Sequence, residues 1–219
     1  MTTEIKICGL RDQAALDAAI EAGADLAGFV FFERSPRNVD PALAAALAGE
    51  VRGRIRLVAL TVDADDSLID EIADTVKPDL LQFHGSESPE RCRQVAGRTG
   101  LGIIKAIGVS GRRDLARTQA YAGSCAFLML DAKPPRQAQR PGGLGEPFDW
   151  AVLAGFKPDI AWFLAGGLDP DNVENALAVS GAPGVDVSSG VESAPGVKDP
   201  ELIRKFVRAA RRHDAVRAA

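Results

Sequence analysis

The residues best suited to chemistry in this chain sit at the ends of short apolar runs, and the first of them is Cys8. It closes the segment Glu4 to Cys8, which stops at Gly9 before the pattern turns helical from about Asp12. Strand alternation puts Lys6 and Cys8 on one face, with Ile5 and Ile7 packing behind them. An isolated cysteine is commonly a small apolar filler, so context decides whether this thiol reacts. Asp131 is the second candidate, at the end of Phe127-Leu128-Met129-Leu130. A carboxyl group there is costly to desolvate, which favours its protonated form and suits proton donation. The same position equally suits an aspartate that caps a helix or anchors a loop. Two later runs end in Gly166-Gly167 and Ser188-Ser189-Gly190, and both segments can offer backbone N–H groups to an anion. Either alone reads equally well as a tight strand-to-helix turn or as an anion site; the two together, at the last two strands, point to a phosphorylated ligand.

Positioning these groups falls to a repeating grammar of strand and helix. Strands are expected at Glu4 to Cys8, Leu26 to Phe32, Arg56 to Val62, Leu80 to Phe83, Ile103 to Ile107, Ala126 to Asp131, Ile160 to Ala165 and Val185 to Ser188. Helical spacing follows each, over Asp12 to Ala22, after Asp40-Pro41, over Asp65 to Val76, after Ser88-Pro89, and over Arg112 to Tyr121, Asp149 to Leu153, Pro170 to Val179 and Pro200 to Arg212. Asp40-Pro41, Ser88-Pro89, Asp169-Pro170 and Asp199-Pro200 each set a capping side chain before a proline that needs no N–H partner at the first helical position. Such alternation implies parallel strands with right-handed crossovers. About eight units favour an α/β fold of one domain over residues 1–219, a closed (β/α)8 barrel, with an open doubly wound sheet as the alternative. No glycine-rich dinucleotide fingerprint follows the first strand. In a barrel the site lies at the C-terminal strand ends, which here also carry Asp63, His84-Gly85 and Lys105 to Gly108. His84 reads there as a loop anchor. The long irregular stretch Ala132 to Pro147, with Lys133, Arg136 and Arg140, reads as a lid.

Composition narrows the partners. Lys plus Arg number 26 against 30 for Asp plus Glu, a net charge of -4 that suggests neither nucleic acid nor an acidic membrane surface. Cys8, Cys92 and Cys125 are odd in number and widely spaced, which argues against disulfides and a zinc site and for a reducing cytoplasm. No apolar run suggests a signal peptide or a membrane span.

Several ordered segments then carry a family resemblance over nearly the whole chain. They are Lys6-Ile7-Cys8-Gly9-Leu10, Ser35-Pro36-Arg37, Gln82-Phe83-His84-Gly85, Leu130-Asp131, Gly143 to Trp150, Leu164-Ala165-Gly166-Gly167-Leu168, and Gly184 to Glu192 leading to Lys198-Asp199. The chain closely resembles the phosphoribosylanthranilate isomerases, TIM barrels of tryptophan biosynthesis, departing at Phe83 and Leu144. The resemblance implies an Amadori rearrangement of N-(5-phosphoribosyl)anthranilate by general acid/base catalysis, without cofactor or metal. Asp131 would protonate the sugar ring oxygen and Cys8 would take the C2 proton. Arg37 would hold the anthranilate carboxylate, and Gly166, Gly167, Ser189 and Gly190 the phosphate. Lys6, one step deeper than Cys8, would help keep the thiol ionised and would need a buried partner, for which Asp186 is the candidate. A monofunctional protein is expected, as monomer or homodimer. Rival readings fit less well: a metal-dependent sugar epimerase needs several inward histidines, and only His84 and His213 exist. The histidine-pathway isomerase uses two carboxylates, and a barrel that merely binds a metabolite would lack the acid or the base.

Overall fold

Eight parallel strands close into a barrel in the computed structural model, which describes residues 2–133 and 148–218. The strands are β1 (Glu4–Cys8), β2 (Leu26–Phe31), β3 (Arg56–Thr61), β4 (Leu80–Phe83), β5 (Gly102–Val109), β6 (Phe127–Ala132), β7 (Ala161–Leu164) and β8 (Gly184–Val187), each paired with its neighbours and β8 with β1. The closed arrangement, not the open sheet, is therefore the one adopted. Among the described residues no helix is long and apolar enough to cross a membrane.

Among the described residues six α-helices wrap the strands: α1 (Gln13–Ala22), α2 (Pro41–Val51), α3 (Asp66–Thr75), α4 (Pro89–Thr99), α5 (Val173–Ser180) and α6 (Pro200–Ala218). Capping starts most of them where the sequence says. The side chains of Asp12, Asp40, Asp65 and Ser88 accept from the amides of Ala15, Leu43, Leu68 and Arg91, and Asp199 accepts from Glu201 and Leu202. Asp169-Pro170 behaves differently. Asp169 accepts from Asp171 and Asn172, which folds a turn, and α5 begins only at Val173. Two expected helices, Arg112–Tyr121 and Trp150–Leu153, are 3₁₀ segments. The first buries Leu115, Thr118 and Tyr121, a spacing of three that matches the three-residue 3₁₀ turn.

Alternation sorts the strand side chains into two cores. Ile5 and Ile7 face the helices in the main core, where Phe83 is buried too. Leu26, Val58, Leu80, Ile104, Ala106, Met129, Phe163 and Ala165 fill the lumen, and Cys8, Val30 and Leu60 form a small layer near its mouth. After β8 an antiparallel hairpin of β9 (Glu192–Ala194) and β10 (Val197–Lys198) folds over the mouth, an element the hydropathy pattern does not announce. The expected lid falls almost wholly on residues 134–147, as does Leu144, outside the described residues.

Candidate active site

A cavity at the C-terminal mouth, holding about 680 Å³ with its opening included, gathers most of the residues singled out from the sequence. That size suits a small metabolite. Cys8, Arg37, His84, Asp131, Gly166, Gly167, Asp186, Ser188 and Ser189 all line it. Gly190 does not. A Cβ on it would fall 1.9 Å from the carbonyl oxygen of Leu168, so its bareness lets the loop after β8 pack against the loop after β7. Asp63 and Lys105 also lie outside the site. Asp63 accepts from Ser86, tying two loops together, while Lys105 points away from the lumen to Glu87 at 2.9 Å.

Cys8 enters the wall from the end of β1 and is 3% exposed. Burial pushes its thiol above the ordinary range; Lys6 pulls the other way without cancelling it. Lys6 thus favours the thiolate, as expected of it, but does not outweigh burial. The reason is that Lys6 is not a free charge. Pairing of β1 with β8 sets Lys6 opposite Asp186, and Lys6 Nζ meets Asp186 Oδ1 at 2.8 Å, the partner expected for it.

Asp131, on β6, is 6% exposed and well held. Its Oδ1 accepts from the amide of Ala132 at 2.8 Å, and its Oδ2 lies 3.1 Å from His84 Nε2. Gln82 Nε2 meets His84 Nδ1 at 3.1 Å, so Nδ1 is the acceptor and the Nε2–H is left to donate to Asp131. His84 thus does more than anchor a loop: it orients the carboxyl group in the cavity. Gly166 is bound up with the same carboxyl, for at φ +88° a Cβ would lie 2.8 Å from Asp131 Oδ1 and 2.4 Å from the Ala132 nitrogen.

Arg37 is buried at 4% exposure, with its fork already engaged. Its Nε and Nη2 donate to Glu192 Oε1 and Oε2 at 2.7 and 2.9 Å, and Nη1 has no partner among the described residues. Lys198 binds the same Glu192 at 2.8 Å and also donates to the Ser188 carbonyl, and the Ser188 hydroxyl donates to the Cys8 carbonyl. Burial favours the neutral form of both Glu192 and Lys198. For Glu192 the neighbouring cations win and hold its carboxyl below the usual range; for Lys198 burial wins and its pKa falls below the usual one. Neither role was read from the sequence. The signal available was two charges flanking a Gly-containing turn, Glu192 to Lys198, directly after a strand end.

The amides of Gly166, Gly167, Ser189 and Gly190 donate to no backbone acceptor among the described residues, so the two loops leave N–H groups for an anion.

Fold and cavity together define a class, the (β/α)8-barrel enzymes that handle small anionic metabolites at the barrel mouth. Within it the chain matches one family model, described as N-(5'phosphoribosyl)anthranilate (PRA) isomerase, over residues 5–209. An N-(5'-phosphoribosyl)anthranilate isomerase of Rhodopseudomonas palustris strain HaA2 is 53% identical over 211 residues, covering 96% of this chain and 97% of the relative. The crystal structure of phosphoribosyl anthranilate isomerase from Thermotoga maritima superposes with a TM-score of 0.86 at 36% identity, covering 95% and 98% of the two chains. A second solved isomerase, in complex with reduced 1-(o-carboxyphenylamino)-1-deoxyribulose 5-phosphate, has a TM-score of 0.83 at 33% identity, covering the same shares. The chain belongs to the N-(5'-phosphoribosyl)anthranilate isomerase family.

Proposed function

We propose that this barrel mouth converts N-(5-phosphoribosyl)anthranilate to 1-(2-carboxyphenylamino)-1-deoxyribulose 5-phosphate, a step of tryptophan biosynthesis, with Asp131 as general acid and Cys8 as general base. The observation that carries the assignment is their placement: a thiol from β1 and a carboxyl from β6 face one cavity across the lumen. Asp131 gives its proton to the furanose oxygen, the C1–O bond breaks, and the nitrogen lone pair forms the C1=N bond of an iminium. Cys8 then takes the C2 proton, the C–H electrons become the C1=C2 bond, the C1=N π pair returns to nitrogen, and the resulting enaminol tautomerises to the ketone as the hydroxyl proton at C2 is exchanged for one at C1. Two N–H donors, from His84 and Ala132, are aimed at the carboxylate that remains after donation. The iminium places positive charge beside Cys8 as the thiolate is needed, which offsets burial at that moment.

The anionic ends of the substrate fit the two sides of the cavity. Arg37, braced by Glu192, has Nη1 for the anthranilate carboxylate, and the amides of Gly166, Gly167, Ser189 and Gly190 suit the phosphate. One chain supplies every one of these residues, and the assignment is compatible with a monomer and with a homodimer. The free thiols Cys8, Cys92 and Cys125 fit a reducing cytoplasm.

The test is a fluorescence assay of substrate consumption with EDTA present, run on the protein and on Cys8→Ala and Asp131→Asn. Metal-independent turnover that falls by at least ~10²-fold in each variant supports the assignment. Turnover that survives either substitution removes that residue from the mechanism.

A further inference from the structure

At the floor of the cavity lies a charge pair to which the proposed chemistry assigns no step, with Asp186 lining the wall and Lys6 below it. Lys6 is fully buried, its Nζ is 2.8 Å from Asp186 Oδ1, and Asp186 is itself 8% exposed. A buried ion pair is a poor device for stability, since desolvating both charges consumes most of the attraction. Its position suggests another use. A Cβ built on Gly28, the β2 residue opposite Cys8, would lie 3.1 Å from Cys8 Sγ and 3.1 Å from Lys6 Nζ, so thiol and ammonium converge on the same small space. Lys6 donates to Asp186 while its ammonium stands beside the thiol of Cys8.

We propose that Lys6 and Asp186 are positioning residues for the base: the Lys6 ammonium is the counter-charge on which thiolate formation at Cys8 depends, and Asp186 sets how much of that charge Cys8 feels. This rests on the reading of Cys8 as the base. The balance of charges agrees with it, since Lys6 favours the thiolate while burial and Asp186 oppose it. Lys6 itself stays charged, because Asp186 and Cys8 together outweigh its own burial. The other charged or titratable groups around Cys8 are Lys198 from β10, Arg37 with its partner Glu192, and His84 and Asp131 across the cavity. None of them changes in the variants below.

The experiment titrates the ultraviolet absorbance of the Cys8 thiolate in Lys6→Met, Asp186→Asn and the double variant. Each is compared with its own Cys8→Ser version, which subtracts Cys92 and Cys125. The two single substitutions should move the midpoint in opposite directions, upward in Lys6→Met and downward in Asp186→Asn, each by at least about one pH unit. The double variant should fall between them. A merely structural pair would leave both midpoints in place, and unmoved midpoints overturn the proposal. Should Lys6→Met fail to fold, the downward shift in Asp186→Asn decides alone, and a midpoint that stays or rises there overturns it. The pH profile of kcat/KM is recorded beside each titration. If the midpoints move and the profile does not follow, the assignment of Cys8 as base fails while the tuning of its thiol stands.

Discussion

A thiol used as a base must first lose its proton, and burial makes that harder for Cys8. The active thiolate form is the deprotonated one, and the folded pKa lies above the ordinary value of about 8.5, burial being the main cause and Lys6 the main opposing one. Below that pKa the thiolate fraction grows about tenfold per pH unit, so the residual kcat/KM of Asp131→Asn, freed of the acid's own titration, should climb through and beyond neutrality and level off only in the alkaline range. A profile already flat at neutral pH would show another base at work. The same scale governs His84. Replacing it by Ala leaves Asp131 Oδ2 without its N–H donor, a loss worth about 1 to 1.5 kcal/mol for one hydrogen bond. The expected outcome is a roughly tenfold lower kcat with KM little changed, measured by steady-state kinetics. Unaltered kcat would return His84 to the role of loop anchor.

Among the elements, the short hairpin β9–β10 matters most to the site, because it delivers Glu192 to Arg37 and Lys198 to Glu192. Without that brace the guanidinium has a choice of rotamers, and binding must then bear the entropy of fixing it. Glu192→Gln should raise KM about tenfold with a smaller effect on kcat, and an unchanged KM would mean that Arg37 needs no support. The substitution also has a pH signature. Burial alone would raise the Glu192 carboxyl, but Arg37 and Lys198 bring it below its unfolded value. Its contribution to stability is therefore complete above about pH 4.3 and is lost as pH falls through the lower folded value. Thermal unfolding of Glu192→Gln should accordingly depend less on pH across that acid window than unfolding of the unmodified protein.

Over the whole molecule, closure of the barrel is reinforced at one loop by a pair unrelated to the cavity. Lys105 Nζ binds Glu87 at 2.9 Å and the Gly85 carbonyl at 2.7 Å, and Glu87 in turn accepts from the amides of Asp63 and Gly85. Glu87→Gln strands a buried ammonium, at a cost of about 3 to 5 kcal/mol. In a chain of this length that lowers Tm by on the order of 10 °C by calorimetry, with turnover below the transition nearly unchanged. Glu87→Gln combined with Lys105→Met should recover part of the loss, since the stranded charge is then gone. A single variant as stable as the parent would show that water reaches Lys105.

The sequence by itself determined what depends on near neighbours. Alternation placed Lys6 and Cys8 together and the isoleucines behind them; capping side chains marked helix starts; eight repeats of strand and helix implied a barrel; and Cys8, Asp131 and the glycine loops fell at strand ends. Those signals act over a few residues, where covalent geometry fixes the outcome. Tertiary structure alone decided the rest. Arg37 finds Glu192 across 155 positions of sequence, and His84 finds Asp131 across 47. No local pattern ranks one carboxylate over another as the partner of a charge. The two expected helices that are 3₁₀ segments and the turn that delays α5 belong here as well, since packing, of the first segment against β5 and of the second against α5, chose among local forms of similar energy. Even the protonation of Cys8 is a tertiary property: the thiol's type and place are local facts, but its desolvation and the sharing of Lys6 with Asp186 exist only once β8 has closed on β1.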